Sequence, residues 1–534
     1  MKYVSTRGES PAVGFLDAVL SGLAPDGGLY VPETWPTFSP EQIARMAGRP
    51  YAEVAAQVIG AFADGELSDQ VIADVCSEAY ATFSHDAVTP LRQLAPGRFL
   101  LELFHGPTLA FKDVAMQLLA RLYDHALGAA GRTMTIVCAT SGDTGGAAVE
   151  AFRGRGNVRI VAMFPDGRIS EVQRRFMTTV TDDNVRTLSV AGDFDDCQAI
   201  LKSLFQDGQF VQAVDLSAVN SINFARIAAQ AVYYFTSAVA LGAPHRPVSF
   251  VIPTGNFGDA FAGYVASRMG LPIERMVVAT NANDIVARAV EDGRYAKGAV
   301  THATQSPAMD IQVSSNFERL YFEGVGRDGI ETGRAFRAFA ASGAIDLPPK
   351  ARAEIARLFR GAAVDEAETS RTILATLNAT GALVDPHTAV ALAGANRIGP
   401  VQATTPVIVL STAHPAKFPE AVLAAAGVTP EPPPAVTSQA AQPERFDRIA
   451  EPQGSQAAQR VAMRRKSRFG QQQGALRLNR RRLQAKETRP LVGAFGRFDA
   501  QNSRVAGERG GTARVDASHR PIWIVAPPKR LPAG

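Results

Sequence analysis

A lysine stands in unusual company in LFHGPTLAFKD, residues 103–113, where Lys112 follows Leu109, Ala110 and Phe111. An amine among apolar side chains is desolvated, which favours its neutral, nucleophilic form. Two other stretches could bind anions. In CATSGDTGGAAVEAF (138–152), glycines 142, 145 and 146 permit close backbone approach, and the hydroxyls of Ser141 and Thr144 stand at a helix start. In VIPTGNFGDAFAGYVAS (251–267), Gly255 and Gly258 frame Asn256 and Phe257 ahead of Asp259. Backbone amides at such a helix start suit a phosphate dianion, and both glycines are expected at positive φ. Neither loop is a nucleotide P-loop or a G-x-G-x-x-G motif. Each, taken alone, also reads as a plain capped turn. A fourth stretch, VIVLSTAHPAKF (407–418), delivers Ser411 and Thr412 at a strand end, where a hydroxyl could meet a ring nitrogen. His414 there reads as a structural histidine, and His387 in DPHTAVAL (385–392) as exposed or structural.

Chemistry at these positions requires a scaffold. Apolar runs at 133–140, 158–165, 185–192, 248–255, 275–282 and 405–412 read as buried strands, with helical patterns such as 170–180 and 221–241 between them. Alternating β and α units imply an α/β fold with a mainly parallel sheet, and ligands then sit at the carboxyl ends of the strands. Residues 1–95 read as a mostly helical N-terminal region, 96–430 as a two-lobed catalytic region, and 431–534 as a Pro/Ala linker with a basic tail that is disordered or non-native.

Composition narrows the class. The chain has 534 residues, 46% hydrophobic and 20% charged, as in an ordinary soluble protein. It shows no bilayer-length apolar run, no hydrophobic signal core and no internal repeat. Cys76, Cys138 and Cys197 are too scattered for a disulfide framework or a CxxC metal site, so no metal is expected and a cytoplasmic location fits. Residues 444–534 carry 20 Lys and Arg against 7 Asp and Glu, leaving 35 against 44 for the rest.

One anion loop is common; two on one sheet, with a desolvated lysine and a hydroxyl strand end, are not. LFHGPTLAFKD, ATSGDTG, GNFGD and STAHPAKF together resemble the threonine synthases in their longer bacterial and fungal form, pyridoxal-phosphate enzymes of the tryptophan-synthase-β fold type. The resemblance runs from Met1 to about Phe446 and includes GLAPDGGLYVP (22–32), GDFDDCQ (192–198) and NSINFARI (220–227). It implies that Lys112 forms a Schiff base with pyridoxal 5'-phosphate. It further implies that Gly255, Asn256, Phe257, Gly258 and Asp259 hold the cofactor phosphate, and that Thr412 or Ser411 faces the pyridine nitrogen. Ser141, Gly142, Asp143 and Thr144 would bind the substrate carboxylate and a neighbouring cofactor oxygen. Arg168, with Arg174 and Arg175, would clamp the leaving phosphate, and His105 would line the site without a chemical role. The implied reaction converts O-phospho-L-homoserine and water to L-threonine and phosphate, in a monomer or weak homo-oligomer.

Two other readings exist. A related lyase or dehydratase would keep the lysine and both anion loops but lack a second phosphate site. A nucleic-acid role would rest on MRRKSR (463–468) and RRR (480–482), which no stacking-aromatic pattern accompanies.

Overall fold

All six apolar runs are strands, and two sheets organise the chain. The computed structural model describes residues 1–449 except 220, 399–401 and 403. The larger sheet runs Phe359–Ala363, Ile273–Thr280, Val248–Pro253, Val407–Ser411, Arg98–Glu102, Leu91–Ala95. Its pairings are parallel except the last, an antiparallel hairpin. The smaller sheet runs Asp447–Ile449, Val185–Val190, Val158–Pro165, Met134–Ala139, Leu216–Ser217, parallel throughout. The strands Val158–Pro165 and Val248–Pro253 are buried at every position, as expected for parallel strands covered on both faces.

Helices Lys112–Ala130 and Phe224–Ala240 are buried on nearly all sides, so both are hydrophobic around most of their circumference. Phe224 takes Tyr3 and Phe62 of the N-terminal region edge-on, with ring centroids 5.2 and 5.3 Å away. That region therefore shares one core with the catalytic region. The boundary expected at residue 95 falls inside the 91–102 hairpin, which belongs to the larger sheet. Among the described residues no helix is long and apolar enough to cross a membrane.

The C-terminal boundary needs correction. The segment expected to be a linker contains the helix Pro434–Ala440, and the packed chain continues to Ile449. Glu444 receives both arms of the Arg174 guanidinium at 2.8 and 2.9 Å, and Asp447–Ile449 extends the smaller sheet beside Val185–Val190. Tertiary pairing supplies here what local periodicity lacks: Ile449 is buried with Leu188 and Val190 although its neighbours are polar. The basic segment from residue 450 onward, and the expected disordered tail with it, lies outside the described residues.

A chain ending at Arg445 is therefore expected to be less stable than one ending at Ile449 by roughly 2 kcal/mol, the worth of one buried isoleucine side chain. Thermal unfolding of the two truncated proteins measures this, and equal midpoints would mean that the strand is idle.

Candidate active site

The chemistry-bearing loops follow the carboxyl ends of parallel strands, and they meet. A cavity of about 350 Å³ opens between them, walled by Lys112, Ser141, Asp143 and Thr144 on one side and by residues 253–260 on the other. Lys112 is the first residue of the helix Lys112–Ala130. Its amine lies 3.5 Å from Asp143 Oδ2 and 4.6 Å from the centroid of the Phe111 ring. Burial pushes the Lys112 amine below its ordinary range; Asp143 opposes that, while Lys417 and Arg226 reinforce it. The desolvation expected from LAFKD is thus physical.

Asp143 opens the helix Asp143–Phe152. Burial disfavours its carboxylate, but Lys417 and Lys112 override burial and hold the group well below the usual range. Ser141 and Thr144 face the cavity. Gly142 does not: its amide donates to Thr140 Oγ1 at 3.0 Å. It is glycine because it sits at φ 123° and a Cβ there would stand 2.5 Å from Gln173. Its expected part in anion binding gives way to a backbone role.

The second anion loop ends in the helix Gly258–Arg268, whose first-turn amides have no partner within the helix. Gly255, Asn256, Phe257, Gly258 and Asp259 all line the cavity. The expectation of positive φ at the glycines fails: Phe257, at φ 61°, makes the left-handed turn. Gly255 is required instead by close approach, since a Cβ would meet the Ala308 carbonyl oxygen at 2.8 Å. Gly255→Val is expected to weaken cofactor affinity about tenfold or more by displacing the 307–309 wall. Gly258→Val should cost less, its nearest neighbour being the Asn316 side chain at 3.3 Å. Titration of each apo-protein with pyridoxal phosphate checks the ranking. Asp259 turns its carboxylate to the hydroxyls of Tyr233 and Tyr234, and burial raises it to about 6 despite them.

Of the two strand-end hydroxyls, Thr412 lines the cavity, whereas Ser411 pairs with Thr388 at 3.0 Å. His414 is the structural histidine expected: burial pushes it down to about 4, and it accepts from the Ala416 amide. His387 is buried on the cavity wall, held by Asp385 at 2.7 Å and accepting from the Ala308 amide at 3.3 Å. His105 does not line the cavity; it pairs with Glu102 at 2.8 Å. Among the described residues no cluster of His, Cys, Asp or Glu is arranged to hold a metal.

The expected phosphate clamp is elsewhere. Arg168 sits exposed in the turn after Val158–Pro165 and does not line the cavity. Arg174 and Arg175 are engaged by Glu444. The cavity's guanidinium is Arg226, only 3% exposed on the buried helix Phe224–Ala240. Its Nε and Nη1 have no hydrogen-bond partner among the described residues, and burial lowers it to about 10. A buried arginine on a cavity wall with unpaired donors is costly unless an acceptor arrives. A signal existed in the sequence: NSINFARI places one arginine, the only charged residue, in the helix Phe224–Ala240.

Three family models match the chain: threonine synthase N terminus over residues 2–80, pyridoxal-phosphate dependent enzyme over 83–412, and threonine synthase C-terminal over 388–461. The last match runs beyond Phe446, where the resemblance was expected to end. The chain is 50% identical over 422 residues to the threonine synthase of Pseudomonas aeruginosa, covering 79% of this chain and 90% of that protein. Among solved structures, pyridoxal-phosphate-bound threonine synthase from Brucella melitensis is 50% identical, with a TM-score of 0.84 over 86% of this chain and 98% of that one. The yeast threonine synthase structure is 37% identical, with a TM-score of 0.82 over the same shares.

Proposed function

The chain belongs to the threonine synthase family, and from that footing we propose how its own residues carry the family's reaction. It is a pyridoxal-phosphate-dependent carbon–oxygen lyase that converts O-phospho-L-homoserine and water to L-threonine and phosphate. The residues of the cavity fit the cofactor: a buried amine, an amide-lined helix start with a glycine that admits no Cβ, and a strand-end hydroxyl. When bound, pyridoxal phosphate supplies the electron sink that makes protons beside the substrate's amino group removable.

The observation that carries the reading is one buried lysine in the same cavity as two helix starts and a guanidinium with unpaired donors. Lys112 holds the cofactor through its amine and afterwards moves protons among the substrate's α, β and γ carbons. The loop and helix-start amides at 255–259 bind the cofactor phosphate. Thr412 donates or accepts at the ring nitrogen; a hydroxyl leaves that nitrogen less firmly protonated than a carboxylate would. Ser141 and Thr144 bind the substrate carboxylate, and Asp143 stands against the neighbouring cofactor oxygen. Arg226 binds the substrate phosphate and stabilises it as it leaves. Arg226, separate from the two anion loops, supplies the second phosphate site that a simple dehydratase lacks.

The test is direct. The purified protein should release phosphate and form threonine from O-phosphohomoserine far faster than it acts on homoserine or serine. Equal handling of the three would favour the lyase or dehydratase reading. We also propose a cytoplasmic location, supported by three free, buried cysteines. For assembly we propose a monomer or weak homo-oligomer.

A further inference from the structure

Asp143 serves two lysines. The nearer is not the cofactor lysine: Lys417 Nζ donates to Asp143 Oδ1 at 2.8 Å, while Lys112 Nζ stands 3.5 Å from Oδ2. Lys417 is only 1% exposed. Its amine also donates to the Thr108 carbonyl at 2.7 Å and lies 5.5 Å from the centroid of the Phe176 ring. Its backbone carbonyl accepts from Ser170, the cap of the helix Glu171–Thr178. An amine so fixed, donating both to a carboxylate and to a carbonyl, is a lasting counterion. It follows the larger sheet's strand Val407–Ser411, whereas Asp143 follows the smaller sheet's strand Met134–Ala139.

We propose that Lys417 is a positioning residue for the synthase reaction: it takes the charge of Asp143 for itself, fixes that carboxylate across the two sheets, and so leaves the Lys112 amine as the group free to react. The inference rests on Lys112 being the cofactor lysine. The charged groups facing Lys112 are Asp143, Lys417, Arg226 and Asp259; those facing Lys417 are Asp143, Lys112, Asp113 and His414. Around Lys112, Lys417 and Arg226 oppose a positive charge and Asp143 favours one. Removing Lys417 deletes one opposing cation and releases Asp143 to Lys112. Both changes make the Lys112 amine harder to deprotonate.

The experiment follows cofactor capture by the full-length apo-protein. The rate at which visible absorbance appears on adding pyridoxal phosphate is measured from pH 6 to pH 10. In K417M the midpoint of this rate profile is expected to rise by about one pH unit, or roughly tenfold slower capture at pH 7. K417R, which keeps the cation, should return the midpoint toward that of the parent protein. If K417M does not fold, the D143N/K417M pair, which leaves neither charge unpartnered, is compared with D143N and should show a smaller upward move, because only the loss of the Lys417 cation then acts on Lys112. An unchanged or lowered midpoint in the foldable variant overturns the proposal. K112A serves as the separate control: capture that persists in K112A refutes the assignment of Lys112 itself, whatever Lys417 does.

Discussion

The Lys112→Ala protein is expected to lose the visible absorbance of its bound cofactor and at least about 10³-fold in turnover of O-phosphohomoserine. The cause is local. Among the described residues no other amine stands free at this cavity: Lys417 is committed to Asp143 and the Thr108 carbonyl. The variant should nevertheless fold, because Asp143 keeps its shorter ion pair to Lys417 and its bond from Gln173 at 3.0 Å. Loss of activity would then not be loss of structure. An absorbance spectrum matching the parent protein would place the reactive amine elsewhere and remove the core of the mechanism.

Arg226→Leu is expected to separate function from stability. In the unliganded cavity the guanidinium is buried with two nitrogens unpaired among the described residues. Replacing a buried, incompletely satisfied charge by an apolar side chain of similar volume is commonly neutral or stabilising. The unfolding temperature should therefore hold or rise. With substrate the sign reverses. A charge-assisted pair to a desolvated phosphate that strengthens as the phosphate leaves contributes about 3 kcal/mol to the transition state, so kcat/KM should fall on the order of 100- to 1,000-fold. Cofactor titration should be nearly unchanged, since the loop proposed to hold the cofactor phosphate is Gly255–Asp259. Calorimetry, cofactor titration and steady-state kinetics on the same preparation check all three. A variant that loses stability while keeping its kcat/KM would make Arg226 a packing residue and return the phosphate clamp to the question.

The amino-acid sequence by itself determined the elements that carry chemistry. Buried parallel strands are continuous apolar runs, so 158–165 and 248–253 were legible without any partner. A desolvated lysine advertises itself through its neighbours, and Lys112 was legible for that reason. Both anion loops were legible because a strand–glycine–helix junction is a local backbone pattern, although which residue takes positive φ was not: Phe257 does, while Gly255 answers to the distant carbonyl of Ala308. Whatever depends on partners far along the chain was decided only by the tertiary structure. The strand Phe359–Ala363 contains arginine and glycine and is a strand because Met276–Thr280 offers it a ladder. Asp447–Ile449 is ordered by the free edge of Val185–Val190. Arg168, Arg174 and Arg226 are alike as letters; burial beside the cavity singles out Arg226, while solvent and Glu444 take the other two. Lys112 and Lys417 lie about 300 residues apart, and no local pattern could reveal that they share one carboxylate. Ionic and steric terms act through space rather than along the chain, so the sequence set which groups exist and the fold set which of them meet.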